Sequence, residues 1–136
     1  MDLNETKELL IGRIIFYLEP YLEKLHNYSI EGEGGRIELI GATDDKAASL
    51  FVLTRIFISE EFKKIYISGI NLPEFMRHQG IGRKLIKVIY KTATELRYEL
   101  FIALVPNSFY ESLIKRGALK CEKINMLKIV DSTMLD

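Results

Sequence analysis

The order of three segments in the second half of the chain most constrains its fold. KIYISGI (64–70) is rich in β-branched and aromatic residues and predicts a strand. From Gly80 to about Leu96, apolar residues recur at helical spacing with lysines on the opposite side. ELFIALV (99–105) is a nearly continuous apolar run, typical of a strand buried on both faces. This order of strand, amphipathic helix and buried strand indicates a mixed α/β sheet.

The first half of the chain supplies further elements of this sheet. Residues 5–26 predict an amphipathic helix or a helix pair, because Pro20 would break one helix or start a second one. YSIEGEGGRIELIG (28–41) alternates polar and apolar residues around two glycines and predicts a hairpin. SLFVLTRIFIS (49–59) favours a long strand, with a helix beginning at Thr43 as the alternative.

The C-terminal part predicts a short helix followed by strands. Asn107 or Ser108 is expected to cap the helix, and Glu111 follows Ser108 at capping-box spacing. Gly117 is expected to end the helix. Residues 118–130 then predict one or two final strands.

Composition limits the classes of function. The 136 residues fit one domain, 1–136, and 19 basic residues balance 19 acidic ones. We therefore expect neither nucleic acid nor an anionic membrane as a partner of the whole molecule. A single cysteine, Cys121, favours a reducing, cytoplasmic location, and no apolar run reaches the roughly 18 residues of a membrane span. No His, Cys or acidic residues show metal-ligand spacing, so no metal is expected.

Against this neutral background, residues 77–91 contain five bases and no acid. Acids, not bases, stabilise the positive end of a helix dipole. Gly80 and Gly82 lie where the predicted helix starts, and glycines there let an anion reach the unpaired backbone N–H groups. Neighbouring bases would add charge-assisted hydrogen bonds to phosphate oxygens. The stretch predicts a diphosphate-binding site, and the alternative is a glycine turn whose bases face water.

The spacing of the glycines narrows the choice of phosphate ligand. A P-loop motif is absent, and Leu85 stands where a dinucleotide-binding motif requires its third glycine. Arg77-His78-Gln79-Gly80-Ile81-Gly82 instead resembles the acetyl-CoA loop of the GNAT acetyltransferase superfamily, [Arg/Gln]-x-x-Gly-x-[Gly/Ala]. ELFIALVPNS (99–108) is similar to that family's fifth strand and the start of its fourth helix. The resemblance is clearest over residues 64–130.

The resemblance implies a fold, a cofactor and a site. The fold is a central, mostly antiparallel sheet with helices on both faces, in which two strands splay apart to form an acyl-CoA cleft. The backbone from His78 to Arg83 would wrap the diphosphate of acetyl-CoA, with Arg83 or Lys84 as cation, and Asn107 would lie beside the pantetheine. The strand end from Ile70 to Leu72 would bind the pantetheine and the acetyl carbonyl. The implied cofactor site consists of Ile70, Asn71, Leu72, Arg77, His78, Gln79, Gly80, Ile81, Gly82, Arg83, Lys84 and Asn107.

The resemblance also implies direct attack of an amine on the thioester, with an acid that protonates the leaving thiolate. The family's usual acid is a tyrosine four residues before the closing glycine of the fourth helix, where this chain has Leu113. Tyr110 lies one turn earlier and is the candidate acid; the alternative is that Phe109 and Tyr110 are core aromatics. The family's glutamate base has no counterpart in 64–70, so no base is assigned. We expect Cys121 to be a small buried residue and not an acyl carrier.

Three hypotheses for function follow. The first is an N-acetyltransferase that moves an acetyl group from acetyl-CoA to a primary amine on a small molecule or a protein. The second is a catalytically weakened, GNAT-like module that binds CoA and regulates. The third is a nucleotide-binding or basic-helix module that uses Lys84, Lys87 and Lys91 on a partner surface. Family members often dimerise, so a homodimer is possible.

Overall fold

The computed structural model describes residues 1–103, 107–123 and 126–136, and for residues 107 and 108 it describes the backbone alone. Within these residues there are three α-helices: α1 (Leu3–Leu22), α2 (Ile81–Glu95) and α3 (Asn107–Lys115). The strands are β1 (Asn27–Glu31), β2 (Arg36–Ala42), β3 (Leu50–Ser59), β4 (Lys64–Ile70), β5 (Glu99–Ala103), β6 (Leu119–Lys120) and β7 (Met126–Ile129). Among the described helices, none is long and apolar enough to cross a membrane.

The seven strands form one sheet in the order β1-β2-β3-β4-β5-β7-β6. β4 and β5 are parallel, and every other neighbouring pair is antiparallel. The parallel pair is joined by α2, as parallel strands need a crossover connection. This confirms the predicted mixed α/β fold with a mostly antiparallel sheet.

α1 is one continuous helix. It begins with a capping box in which Asp2 and Glu5 each accept a hydrogen bond from the other's backbone N–H. Of the two alternatives, the single helix is confirmed and the helix pair is wrong, because Pro20 lies in the last turn, two residues before the helix ends at Leu22. A proline there removes one hydrogen bond but does not interrupt the buried face, which consists of Thr6, Leu10, Ile14, Leu18 and Leu22.

The next three strands agree with the sequence analysis. β1 and β2 form the predicted antiparallel hairpin, and its turn contains Gly32 and Gly34 at positive φ. The strand predicted over 49–59 is β3, which confirms that prediction. The alternative helix beginning at Thr43 is wrong, since only a single 3-10 turn, Ala47–Ser49, precedes the strand.

The helices cover one face of the sheet. The strand side chains on this face are almost completely buried, as in Ile65 and Ile67 of β4 and Leu100 and Ile102 of β5. α1 packs on α2, where Arg13 forms an ion pair with Glu95. The crossovers through α2 and through α3 step across the sheet in the same direction, so the right-handed rule places both helices on one face.

The opposite face differs from the expectation of helices on both sides. Its side chains in β4 and β5, Tyr66 and Phe101, are half-buried and stack on each other with ring centroids 5.5 Å apart. The ammonium groups of Lys64 and Lys128 lie 5.4 and 6.0 Å from the centre of the Phe101 ring. The prediction that 99–105 is buried on both faces is therefore wrong over the described part, β5. Long lysine side chains take the place of a helix over this aromatic surface.

β4 extends beyond its described pairs with β5. Their described pairs run from Lys64–Glu99 to Ile67–Ile102, while β4 continues to Ile70 and Ala103 pairs with β7. The register between β3 and β4 shifts at the same level, so that Ser68 is an extra residue in β4. Ser68 therefore lies in the part of β4 that extends beyond these described pairs.

The ends of α2 and α3 follow the sequence. α2 begins after Gly80 and ends at Glu95, one residue short of the predicted Leu96. Gly117 ends α3 as predicted, since the N–H groups of Gly117 and Ala118 donate to the carbonyls of Ile114 and Leu113 in a Schellman arrangement. The described α3 starts at Asn107, so its capping residue lies outside the described residues.

Candidate active site

A cleft of about 590 Å³ lies between the end of β4, the loop before α2, the first turn of α2 and one side of α3. It contains most of the residues that the sequence analysis assigned to cofactor binding. Gln79 and Lys84 are exposed and do not belong to the described lining, and the side chain of Asn107 lies outside the described residues. The described lining consists of Ile70, Asn71, Leu72, Met76, Arg77, His78, Gly80, Ile81, Gly82, Arg83, Phe109 and Ser112.

The loop before α2 is shaped by two residues in the left-handed region of backbone space. His78 has φ of 62° and Gly80 has φ of 74°. Such a conformation costs a residue with a side chain about 1 kcal/mol or more, and strained residues of this kind cluster at functional sites. Met76, which is fully buried in a short 3-10 turn, anchors the loop to the core.

Two polar side chains of the motif bond to the loop itself. Arg77 donates from Nε to the carbonyl of Leu72 at 2.8 Å. Gln79 donates from Nε2 to the carbonyl of Phe75 at 2.7 Å. Both bonds satisfy carbonyls within the loop and fix its path, which accounts for the long polar side chains at these positions.

The first turn of α2 has its backbone N–H groups unpaired within the helix. The first residues of any helix have no carbonyl one turn earlier to bond to, here Ile81, Gly82 and Arg83. Gly80 carries no side chain that could accept from them, and the turn contains no acid. These donors lie at the positive end of the helix dipole, next to the cleft.

Gly82 brings this turn close to the walls of the cleft. A Cβ at this position would lie 3.7 Å from side-chain atoms of Ile70 and Leu72 and 3.8 Å from Phe109. Gly82 itself is buried. A larger side chain would therefore fill the space in front of the free N–H groups.

Arg83 is the base of α2 that lies in the described lining of the cleft. Its Nε donates to the carbonyl of Leu135 at 3.2 Å. The other side of its guanidinium lies over the loop, since Nη2 would be 3.1 Å from a Cβ on Gly80. Lys87 forms an ion pair with Asp136. Arg83 and Lys87, two bases of the same helix, therefore have different surroundings.

The end of β4 directs some of its backbone groups away from β3. The N–H of Asn71 donates to the carbonyl of Leu53 in β3 at 2.7 Å, and the carbonyl of Gly69 accepts from the Thr54 hydroxyl at 2.9 Å. Peptide groups alternate in direction along a strand, so those of Ile70 point the other way, away from β3. Ile70 is thus better placed than Asn71 to bond a ligand on that side of β4.

α3 turns Phe109 and Ser112 towards the cleft. Tyr110 is half-buried and packs against the core, on the side of the helix that also carries the fully buried Leu113. The role of Tyr110 as acid remains a prediction. The sequence analysis missed Met76, Phe109 and Ser112, although the spacing of Phe109 and Ser112 places them on one face of a helix.

Cys121 and the side chains of metal-binding type were given no role in the sequence analysis. Cys121 is half-buried, and burial raises the pKa of its thiol, which lowers the amount of reactive thiolate at neutral pH. Among the described residues, no group of three or more His, Cys, Asp or Glu side chains is placed to hold a metal ion.

Comparison with known proteins finds similarity at the level of structure. No family model matches the sequence, and no curated protein matches it. Nourseothricin acetyltransferase is 16% identical with a TM-score of 0.45, over 64% of this chain and 52% of its own, so this chain spans about half its length. An aminoglycoside acetyltransferase from an uncultured soil metagenomic sample, in complex with sisomicin, is 16% identical with a TM-score of 0.44, over 91% and 88% of the two chains. A GNAT family N-acetyltransferase from Escherichia coli, in complex with CoA, is 14% identical with a TM-score of 0.41, over 89% and 68%.

Proposed function

We propose that this protein binds acetyl-CoA in the cleft and transfers the acetyl group to a primary amine. The observation that carries the proposal is the start of α2, where unpaired N–H groups, a buried glycine and the Arg83 guanidinium all lie at one cleft. This combination suits a diphosphate. The resemblance of residues 77–82 to the GNAT acetyl-CoA loop supplies the identity of the acyl donor.

Each part of acetyl-CoA has residues that fit it. The N–H groups of Ile81, Gly82 and Arg83 would bind the diphosphate, with charge-assisted bonds from the Arg83 guanidinium. The peptide groups of Ile70 would bond the pantetheine or the acetyl carbonyl, as an added strand bonds to an open strand edge. Phe109 provides an apolar wall near Gly82 for the remaining atoms.

The chemistry needs few side chains from the protein. Acetyl-CoA supplies a thioester carbonyl that a neutral amine attacks, so that a C–N bond forms, the C–S bond breaks and the amine loses a proton to water. The N–H of Ile70 would stabilise the negative charge that develops on the carbonyl oxygen. The leaving thiolate takes a proton from an acid, for which Tyr110 is the candidate. The alternative donor is the Ser112 hydroxyl, which, unlike Tyr110, belongs to the described lining of the cleft. Holding the two reactants together provides much of the acceleration.

A thermal-shift titration with acetyl-CoA, CoA and ADP tests the binding step. A ligand that binds the folded state alone raises the melting temperature as its concentration increases. We expect all three to raise it, ADP least because it offers only the nucleotide diphosphate. No shift with acetyl-CoA at millimolar concentration would refute the proposal and leave the loop as a glycine turn.

Turnover with a panel of amines tests the transfer step. Release of CoA with any amine acceptor would establish acyl transfer, whereas binding without release would favour the catalytically weakened module. Once an acceptor is found, Tyr110→Phe and Ser112→Ala form a matched pair, because each removes one hydroxyl from α3. If Tyr110 is the acid, its variant loses about 100-fold in kcat, in the range of general-acid catalysis, and the Ser112 variant keeps most activity. The reverse result would assign the acid to Ser112.

A further inference from the structure

The C-terminal segment, residues 131–136, packs between α2 and the end of α3. Thr133 and Leu135 are buried in it, with 8% and 5% of their surfaces exposed. Asp131 accepts a hydrogen bond from the hydroxyl of Tyr90 in α2. These contacts fix a short segment without regular secondary structure against both helices.

Arg116, directly after α3, holds the C-terminal segment by its backbone and its side chain. Its carbonyl accepts from the N–H of Met134 at 2.7 Å. Its Nη1 donates to the carbonyl of Met134 at 3.1 Å and to that of Asp136 at 3.3 Å. Leu135 lies between these two residues, so its carbonyl is held in a defined position.

That carbonyl accepts from Nε of Arg83, as described above. The bond uses the donor nearest the side-chain stem, and neither terminal nitrogen of the guanidinium has a hydrogen-bond partner among the described residues. The guanidinium therefore spans from the C-terminal segment to Gly80 in the loop. An arginine without such a partner would lose more side-chain conformational entropy on binding a ligand.

Lys87, one turn after Arg83, is also engaged by this segment. Its ammonium pairs with the carboxylate of Asp136. The pair compensates the positive charge of Lys87. Of these two bases, Arg83 is therefore the one whose charge remains available to an anion at the cleft.

We propose that the C-terminal segment is a positioning element of the cofactor site, which orients Arg83 towards the diphosphate of acetyl-CoA before the ligand arrives. This inference rests on the proposed function. A group held in its bound conformation binds more tightly because less conformational freedom is lost. Arg116 and Thr133 are then positioning residues that act through Arg83, although neither belongs to the described lining of the cleft.

A double-mutant cycle separates positioning from a general effect on the fold. The variants are Arg116→Met, Arg83→Met and their combination, with Lys115→Met as the matched control that removes an exposed base from the adjacent position. Acetyl-CoA affinity is measured by isothermal titration calorimetry. We expect Arg116→Met to weaken binding about 2- to 10-fold, the effect of one ordinary hydrogen bond, and Lys115→Met to leave it unchanged.

The combination with Arg83→Met decides the matter. If Arg116 acts through Arg83, adding Arg116→Met to Arg83→Met causes no further loss of affinity. Equal losses with and without Arg83 would overturn the proposal, and so would unchanged affinity in Arg116→Met. Absence of acetyl-CoA binding in the unmodified protein would instead refute the proposed function, and this inference with it.

Thr133→Val provides a second, independent variant. It removes the hydroxyl that accepts from the N–H of Val130 at 3.1 Å and keeps the shape of the side chain. Melting curves first confirm that each variant is folded at the titration temperature. We expect Thr133→Val to weaken acetyl-CoA binding when Arg83 is present and to cause no further loss in the Arg83→Met variant. An equal loss of affinity in both backgrounds would contradict the positioning role.

Discussion

The starts of α1 and α2 meet the same physical requirement with opposite sequences. Each has N–H groups without partners inside the helix. α1 satisfies one of them with Asp2 and adds the acid Glu5 to its first turn, in a closed capping box. α2 begins at Gly80, has Arg83 in its first turn, and opens onto the cleft.

Under the proposed function, the start of α1 is stabilised within the chain and the start of α2 is completed by a ligand. A capping box satisfies donors within the chain and suits the dipole, so no outside group is needed at α1. The start of α2 has neither a capping side chain nor an acid in its first turn. A diphosphate would replace both, because it accepts hydrogen bonds from the N–H groups and brings negative charge to the positive end of the dipole. The predictions below either remove this difference or measure it.

The largest effect is expected from Gly82→Asp. Its carboxylate would lie in front of the N–H groups and repel the diphosphate, so we expect acetyl-CoA affinity to fall about 100-fold or more. Gly82→Ala is the matched control, because an added Cβ meets its neighbours at ordinary contact distance and the GNAT motif that residues 77–82 resemble accepts alanine at this position. Calorimetric titration of both variants measures the difference, and equal affinities would contradict the assignment of this turn.

Arg83→Glu makes the first turn of α2 resemble that of α1. The acid suits the helix dipole but replaces the cation at the cleft, so we expect acetyl-CoA affinity to fall about 10- to 100-fold, the value of a hydrogen bond to a charged group. Titration of this variant alongside Arg83→Met separates loss of the cation from added repulsion. Unchanged binding in both would show that Arg83 does not contact the ligand.

Asp2→Ala removes the cap of α1 and should act on stability alone. We expect the free energy of unfolding to decrease by about 1 kcal/mol, as for other N-cap residues, with acetyl-CoA affinity unchanged. Urea denaturation measures the first quantity and titration the second. Asp2→Asn, which keeps a capping oxygen, should restore most of the stability, and weakened acetyl-CoA binding in Asp2→Ala would mean that the two helix starts are not independent.

The smallest effect concerns Tyr17, which joins α1 to the start of α2 by donating from its hydroxyl to the carbonyl of Ile81 at 3.3 Å. Burial, and then the neighbouring Tyr21, raise the pKa of Tyr17 to about 12, and Arg83 opposes this. Between pH values of about 10 and 12 the unfolded chain loses this proton and the folded one keeps it, so stability decreases as pH rises. In Tyr17→Phe we expect about 0.5 kcal/mol less stability at neutral pH and a shallower decrease at alkaline pH. Urea denaturation across pH measures both.

Features specified by nearby residues could be predicted from the sequence. The strand–loop–helix order around residues 77–82, the hairpin and the end of α3 at Gly117 each depend on short stretches with a local physical cause. For the same reason the loop residues that line the cleft were identified, whereas their contacts with ligand remain a prediction.

Features that depend on distant residues could not be predicted. Arg83 meets Leu135 across 52 positions of the chain, so nothing local distinguishes Arg83 from Lys84 as the cation of the site. Phe101 looked fully buried because nothing local shows that Lys64 and Lys128 cover it in place of a helix. The side of α3 that faces the cleft was likewise unresolved, since Phe109 and Tyr110 are adjacent and both apolar.

The central claim, that the open start of α2 binds the diphosphate of acetyl-CoA, is tested most directly by the backbone amide signals in an ¹H–¹⁵N NMR titration. The account predicts that the amides of Ile81, Gly82 and Arg83 shift strongly and saturably on addition of acetyl-CoA, while that of Glu5 in the capped start of α1 does not move. If the amides of α2 stay unchanged, or if both helix starts shift alike, the difference between them has another origin and the cofactor site lies elsewhere.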